Sequence, residues 1–219
     1  MDELGFVSST LVAVIWIVAA YLLGSVAFGI VVSKIFGLPD PRTVGSGNPG
    51  ATNVLRSGKK LAAVFTLLGD VVKGWLPVWL ALQSDMLMES GSLMWAVASV
   101  GLAVFIGHLY PIFYKFKGGK GVATALGVML AISPILGLAT MITWVLVFAV
   151  SRYSSLGAIV AAVLAPVYAW FILPQADNLL GISDYVLVIF LMAVMLIWRH
   201  RTNIKKLLAG TEAGFGTKK

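Results

Sequence analysis

Three short windows of this chain collect glycines, hydroxyls, amides and cations in a mixture that suits the gripping of anions. The first is Gly45-Ser46-Gly47-Asn48-Pro49-Gly50-Ala51-Thr52-Asn53-Val54-Leu55-Arg56. Its three glycines, one proline and four short polar side chains are expected to resist both a stable helix and a buried strand. Without a Cβ, glycine lets successive backbone N–H groups close on an anion, and Arg56 adds a planar fork matched to phosphate. A turn of purely structural use is the plainer reading of the glycines. Ser46, Asn48, Thr52 and Asn53 beside Arg56 favour a binding loop.

The second window is Gly107-His108-Leu109-Tyr110-Pro111, continued by Phe116-Lys117-Gly118-Gly119-Lys120-Gly121-Val122-Ala123-Thr124. Gly118-Gly119-Lys120-Gly121 stands just before an apolar segment, so the start of a helix lies beside the loop. That placement favours phosphate. The spacing G-x-x-x-x-G-K-[ST] is missing, and nucleotide hydrolysis has no support. Lys120, between glycines, is the candidate ligand. Lys115 and Lys117 read as membrane anchors, and His108 as a structural residue near a helix end.

The third window is Arg199-His200-Arg201-Thr202-Asn203-Ile204-Lys205-Lys206, ending in Gly210-Thr211-Glu212. A spacing of three predicts that His200 and Asn203 share a helix face, and both can hydrogen-bond a hydroxyl or a phosphate oxygen. Lys205, Lys206, Lys218 and Lys219 suit contact with anionic headgroups, and Glu212 suits pairing with a base. Two further features stand outside these windows. Asp70 and Lys73, three apart in an apolar segment, are costly alone and are expected to pair with each other or with residues of the windows. Ser151-Arg152-Tyr153-Ser154-Ser155 forms a weaker polar patch.

The elements that must hold these windows are membrane helices. Of 219 residues, 59% are hydrophobic and only 11% charged, whereas a soluble domain carries about 25% charged residues. The mean hydropathy is +0.96. Apolar runs are continuous and several reach span length, with candidate spans at about 10–34, 61–82, 92–114, 120–133, 135–151, 155–174 and 184–200. The alternation of a membrane β-barrel is missing. The first run follows Asp2 and Glu3 rather than basic residues and is too long for a signal core, so it reads as a span. With no cysteine there is no disulfide framework and no thiolate metal site. No period of 20–50 residues repeats, and residues 1–219 read as one membrane-embedded domain.

Charge placement predicts the topology. The net charge of +7 is uneven: all sixteen Lys and Arg but Lys73 fall in the 34–60, 115–120, 152 and 199–219 regions. The segments between carry Asp2, Glu3, Asp85, Glu89, Asp177 and Asp184 near their loops and, Lys73 apart, no Lys or Arg. The positive-inside rule puts every basic cluster in the cytoplasm, so an even number of crossings must separate neighbouring clusters. The 120–151 stretch therefore divides into two short helices turning at Ser133-Pro134, where proline resists continuation. Seven transmembrane helices in an all-α fold are expected, two of them short, with the N-terminus outside and the C-terminus in the cytoplasm.

With the polar windows in place, the chain resembles a known family, the bacterial acyl-phosphate-dependent glycerol-3-phosphate acyltransferases (PlsY). The family's first motif reads close to GSGN-x-GATN-V-x-R, as Gly45 to Arg56 do here. Its second reads GH-x-x-P then F-x-GGKGVAT, as in Gly107 to Thr124, and its third HR-x-NI-x-R-L-x-x-G-x-E, as in His200 to Glu212. The likeness runs along nearly the whole chain, in order and at compatible spacing. Lys206 departs from the pattern, standing where the family often has Arg. Ala158 stands where a second serine is expected after Ser155.

The resemblance implies a seven-span enzyme of the bacterial cytoplasmic membrane with its active site facing the cytoplasm. It implies acyl transfer from acyl phosphate to glycerol 3-phosphate, giving lysophosphatidic acid and phosphate as the first acylation of phospholipid synthesis. No cofactor, metal, coenzyme A, acyl carrier protein, nucleic acid or obligate protein partner is expected; acyl phosphate, glycerol 3-phosphate and membrane lipids are. On this reading Ser46, His200 and Asn203 are the catalytic candidates. Arg56, Lys120, Gly118, Gly119, Gly121, Asn48, Thr52, Asn53 and Ser155 are the substrate-binding ones. Ser46, Arg56 and Lys120 would hold phosphate, with the glycines admitting backbone N–H groups to the acyl phosphate. His200 and Asn203 would hold glycerol 3-phosphate, and either His200 or a substrate phosphate would take the proton. The H-x-x-x-x-D pair of thioester-using acyltransferases is missing, since Phe113 and Lys205 stand five residues after His108 and His200. A permease for a phosphorylated solute would also suit broken spans and Asp70–Lys73, but would need polar residues on both faces. A non-catalytic scaffold has no evident use for such loops.

Overall fold

The computed structural model describes residues 3–88, 93–176 and 181–215. Asp2, Glu89, Asp177, Lys218 and Lys219 lie outside them. Within the described residues all regular structure is helical. The chain divides into two compact units, Met1–Ile132 and Ser133–Lys219.

The first unit holds α1 (Glu3–Gly24), α2 (Phe28–Ile35), α3 (Ala51–Leu55), α4 (Lys60–Leu82), α5 (Asp85–Met88), α6 (Leu93–Leu109) and α7 (Val122–Ile132). Helix α1 packs on α6, and α4 packs on α7. Small residues bring the backbones together. A Cβ on Gly24 or Gly107 would collide with the facing backbone of the α1–α6 pair, and one on Gly74 or Gly127 with that of the α4–α7 pair. The second unit holds α8 (Pro134–Ser151), α9 (Ser154–Ile172), α10 (Asp184–Arg199) and α11 (Arg201–Leu208). Here α9 packs against α8, α10 and α11.

The outer faces of these helices are apolar while charges sit inside. Leu11, Leu68, Leu146, Phe171 and Phe190 are exposed, whereas Asp70, Lys73 and His108 are buried. A protein surrounded by water would reverse that arrangement; one in hydrocarbon requires it. Among the described residues, four helical stretches are long and apolar enough to cross a bilayer: Lys60–Leu82, Met94–Tyr114, Pro134–Ser151 and Ser154–Ile172. The count reaches six if Thr10–Gly24 with Phe28–Ile35, bent by 42°, and Asp184–Arg199 with Arg201–Leu208, bent by 56°, each form one span.

The expected break of the 120–151 stretch is present. Ser133 caps α8, its Oγ accepting from the Leu136 N–H, and Pro134 opens the helix, where its missing N–H costs nothing. One of the two halves departs from expectation. Helix α7 is short, at 11 residues, but α8 runs 18, because the cap sets its start at once and its apolar residues continue to Ser151. A second correction concerns the first polar window. Residues after Gly50 do form a helical turn, Ala51–Leu55. The glycines and the proline end at Gly50, and burial of Asn53 and Val54 compensates the poor helix propensity of the Ala51–Leu55 segment.

Candidate functional site

In the first unit, the 36–56 loop is organised around one amide. Asn53 is 2% exposed. Its Nδ2 donates to the carbonyls of Pro41 (2.7 Å) and Val44 (3.1 Å), and its Oδ1 accepts from the Ser46 N–H (2.9 Å). Three of its four hydrogen-bonding capacities are thus used inside the loop. Gly45, at φ +57°, lies so close to Asn53 Oδ1 that a Cβ could not be added. The result is a tied loop with Ser46 and Arg56 exposed and Asn48 and Thr52 half-buried. Asn53 therefore holds the loop's shape. Ahead of it, Asp40 takes a bidentate grip from Arg42, with Nη2–Oδ2 at 2.7 Å and Nε–Oδ1 at 3.0 Å. That bond holds the Asp40 carboxyl below its ordinary value. The Arg42 guanidinium sits 5.7 Å from the Tyr114 ring.

The second window folds back on the end of α6. A 3₁₀ turn, Ile112–Tyr114, is followed by Lys115 and Phe116 at φ +54° and +58°. Two successive left-handed residues reverse the chain and bring Gly118 and Gly119 onto His108. The Gly119 N–H donates to the His108 carbonyl at 3.1 Å. A Cβ on Gly118 would strike that carbonyl, and one on Gly119 would strike His108 Nε2. These glycines are needed for contact with α6, a use that their sequence context, which suits their N–H groups to an anion, does not reveal. Lys120 is half-buried beside them.

His108 is more than a helix-end residue. Its Nδ1 lies 3.1 Å from Thr124 Oγ1 and 3.5 Å from Asp70 Oδ1. Lys73 Nζ lies 2.8 Å from the same Asp70 oxygen and donates to the Val26 carbonyl at 2.7 Å. Asp70 and Lys73 thus pair with each other, as expected, and with a motif histidine as well. Among the described residues no donor is aimed at Asp70 Oδ1 in hydrogen-bond geometry, although two lie near it.

In the second unit the third window bends at His200, which ends α10 and begins α11. His200 is 3% exposed, with Nδ1 2.8 Å from the Leu196 carbonyl. The two helices meet there at 56°, and the His200 carbonyl accepts the Ile204 N–H at 2.9 Å, so His200 stands at the start of the helix that carries Asn203. Asn203 Nδ2 donates to Glu212 Oε1 at 2.7 Å, and Ser155 Oγ donates to the same oxygen at 2.7 Å. Glu212 therefore gathers neutral donors from the start of α9 and from α11. The tail is further fixed by the Phe215 N–H on the Arg152 carbonyl (3.0 Å) and by Phe215 edge-on to Phe148. Arg152 takes the left-handed position that ends α8, at φ +64°. The Ser155–Glu212–Asn203 group could not have been read from spacing, since 57 residues separate its first two members.

Known proteins match along the same segments. A family model described as glycerol-3-phosphate acyltransferase matches residues 14–210. The chain is similar to a glycerol-3-phosphate acyltransferase of Methylobacillus flagellatus, 62% identical over 204 residues, 93% of this chain and 97% of that one. A Burkholderia pseudomallei protein of the same description is 56% identical over 202 residues, 92% of this chain and 95% of that one. Among solved structures it resembles PlsY (YgiH), an integral membrane glycerol 3-phosphate acyltransferase, in its glycerol 3-phosphate form. The TM-score is 0.83 at 40% identity, covering 94% of this chain and 96% of that one. The lysophosphatidic acid form of PlsY gives a TM-score of 0.80 at 38% identity, with the same coverage.

Proposed function

The chain belongs to the glycerol-3-phosphate acyltransferase family, and on that premise we propose that it transfers a fatty acyl group from acyl phosphate to the 1-hydroxyl of sn-glycerol 3-phosphate. The products are lysophosphatidic acid and inorganic phosphate, the opening acylation of phospholipid synthesis. The supporting observation is that the PlsY structures it resembles were captured with glycerol 3-phosphate and with lysophosphatidic acid, acceptor and product of one reaction.

The chemistry asks little of the protein beyond placement. Acyl phosphate is a mixed anhydride, so the acceptor oxygen forms the new bond to the acyl carbon as the carbon–oxygen bond to phosphate breaks. The hydroxyl proton ends on the departing phosphate, directly or through His200. Positioning and anion stabilisation supply the rate. Ser46, Arg56 and Lys120 take substrate phosphate, Asn48 and Thr52 line the same loop, and Asn53 holds its shape. Gly118, Gly119 and Gly121 let the second loop lie where Lys120 can reach the acyl phosphate. His200 and Asn203 orient the acceptor, and Ser155 supports Asn203 through Glu212. The two compact units act as one acyltransferase domain with no metal or other cofactor in the reaction. The topology that goes with this reading is seven membrane segments, the N-terminus outside and the polar windows at the cytoplasmic face of a bacterial inner membrane. Membrane lipid is the only other partner it needs.

Purified protein is expected to convert palmitoyl phosphate and glycerol 3-phosphate to lysophosphatidic acid without added metal or thioester. Turnover supported by palmitoyl-coenzyme A alone would reject the donor. Vesicle uptake of glycerol 3-phosphate without acylation would favour a permease instead.

A further inference from the structure

We propose that the buried cluster of Asp70, Lys73, His108 and Thr124 is a positioning device that holds the Gly118–Gly121 loop, and with it Lys120, in register for a substrate phosphate. The proposal rests on the reading that this loop serves a phosphorylated substrate.

All four residues are nearly sealed: exposures are 2% for Asp70, 2% for Lys73, 8% for His108 and none for Thr124. None can meet a substrate from such a position, so whatever they contribute passes through a neighbour. The neighbour is the loop, reached through His108 in two ways. The His108 carbonyl accepts the Gly119 N–H, and Nε2 fills the space where a Gly119 side chain would stand. The ring is oriented from the opposite side. Thr124, in the first turn of α7, and Asp70, in α4, both flank Nδ1. Held from that edge, the ring keeps Nε2 turned toward the loop. Lys73 completes the arrangement by neutralising Asp70 and by fastening α4 to the Val26 carbonyl in the break between α1 and α2.

Stability alone does not account for charge here. Replacing a buried ion pair by apolar groups of similar volume is often neutral or stabilising. In lipid, an ionised side chain away from water is costlier still. What a paired carboxylate and ammonium do supply is a fixed position, because neither can leave its partner, 2.8 Å away, for water. The two charges also cancel, so the cluster does not itself draw an anion. Lys120 is left as the cation of the loop that meets the substrate, and the cluster decides where it stands. The four residues come from three helices and bear on a fourth segment, the unwound 25–27 stretch. Loop position is thereby referred to the whole first unit rather than to the adjoining turn.

Thr124→Val is the cleanest probe, since it removes the hydroxyl at nearly constant volume. The expected result is a protein melting within about 3 °C of wild type, whose KM for one of the two phosphorylated substrates rises about tenfold while kcat changes less than about threefold. Amide exchange at residues 118–121 should quicken at the same time, and Thr124→Ser should restore both readouts. The paired variant Asp70→Asn with Lys73→Met removes both charges together. It should still fold, melting lower than wild type because the Val26 carbonyl loses its donor, and it should keep the raised KM, which a merely structural role would not produce. Wild-type KM values for both substrates in Thr124→Val, with unchanged exchange at 118–121, would overturn the proposal even if the paired variant failed to fold. Measuring the KM for glycerol 3-phosphate with whichever of palmitoyl phosphate and palmitoyl-coenzyme A supports turnover separates this outcome from an error in the donor. The exchange measurement stands without either donor.

Discussion

The two units fix a polar segment by opposite means. In the first, ionisable side chains are sealed inside a helix long and apolar enough to cross a bilayer: Asp70 and Lys73 are each 2% exposed, and they brace His108 beneath the glycine loop. In the second, one half-buried carboxylate, Glu212, collects two neutral donors from Ser155 and Asn203 at a helix end. The difference comes from solvent. A lone charge at depth has no water to fall back on, so each ion must be matched inside the protein. Near a helix end, water can replace a lost donor, and a single acceptor suffices. Disturbing the first arrangement should be close to all-or-none, and disturbing the second should be graded.

The largest effect expected is on stability in the first unit. Asp70→Ala strands the Lys73 ammonium and should cost about 3–5 kcal/mol, read as failure to purify a folded protein or as a steep fall in melting temperature. Recovery of folding when Lys73→Met is added would confirm that the stranded charge is the cause. Next comes activity without unfolding. Lys120→Ala and Asn203→Ala should each lower kcat/KM by about a hundredfold or more, roughly 2.7 kcal/mol, while the protein still inserts. Near-normal rates in both would remove the site assignments from either unit. In the second unit Glu212→Ala should cost about 1.5–3 kcal/mol through loss of charge-assisted hydrogen bonds, and Glu212→Gln, which keeps an acceptor, should cost less. A Glu212→Gln variant as damaged as Asp70→Ala would erase the contrast between the units.

The smallest effect belongs to the exposed Asp40–Arg42 pair. The folded-state pKa of Asp40 lies below its unfolded value, so its contribution is present above the unfolded value near 3.8 and is lost as pH falls through the folded one. Both side chains are about a third exposed, which limits the gain to about 0–1 kcal/mol. Asp40→Asn should therefore leave the melting temperature at neutral pH almost unchanged and flatten only the acid end of its pH profile.

Much of this is legible in the letters. Continuous apolar runs point to the helices, and Ser133-Pro134 marks a break that the structure places at the same residues. Asp70 and Lys73 are readable as a pair because three residues bring two side chains to one helix face. What escapes is whatever depends on distant segments meeting. Asn53 looks like a ligand because its amide suits one, yet the loop consumes most of its bonding capacity. Gly118 and Gly119 look like openings for an anion, and their lack of a side chain equally serves contact with His108. The bend at His200 is hidden because an apolar span running into a basic amphipathic segment keeps helical periodicity through the turn. Residue type states what a group can do; its neighbours decide which of those things it does.

The unwound stretch from Ser25 to Ala27 has a consequence for how this chain can change. It separates α1 from α2 without proline, and the Val26 carbonyl it turns aside is where the Lys73 side chain rests. Straightening that stretch would return the carbonyl to an ordinary helical bond and leave the lysine without its berth. Trading Lys73 for an apolar residue would in turn leave the carbonyl facing nothing. Neither position can drift by itself, so the two should be exchanged together or kept together wherever sequences of this kind diverge.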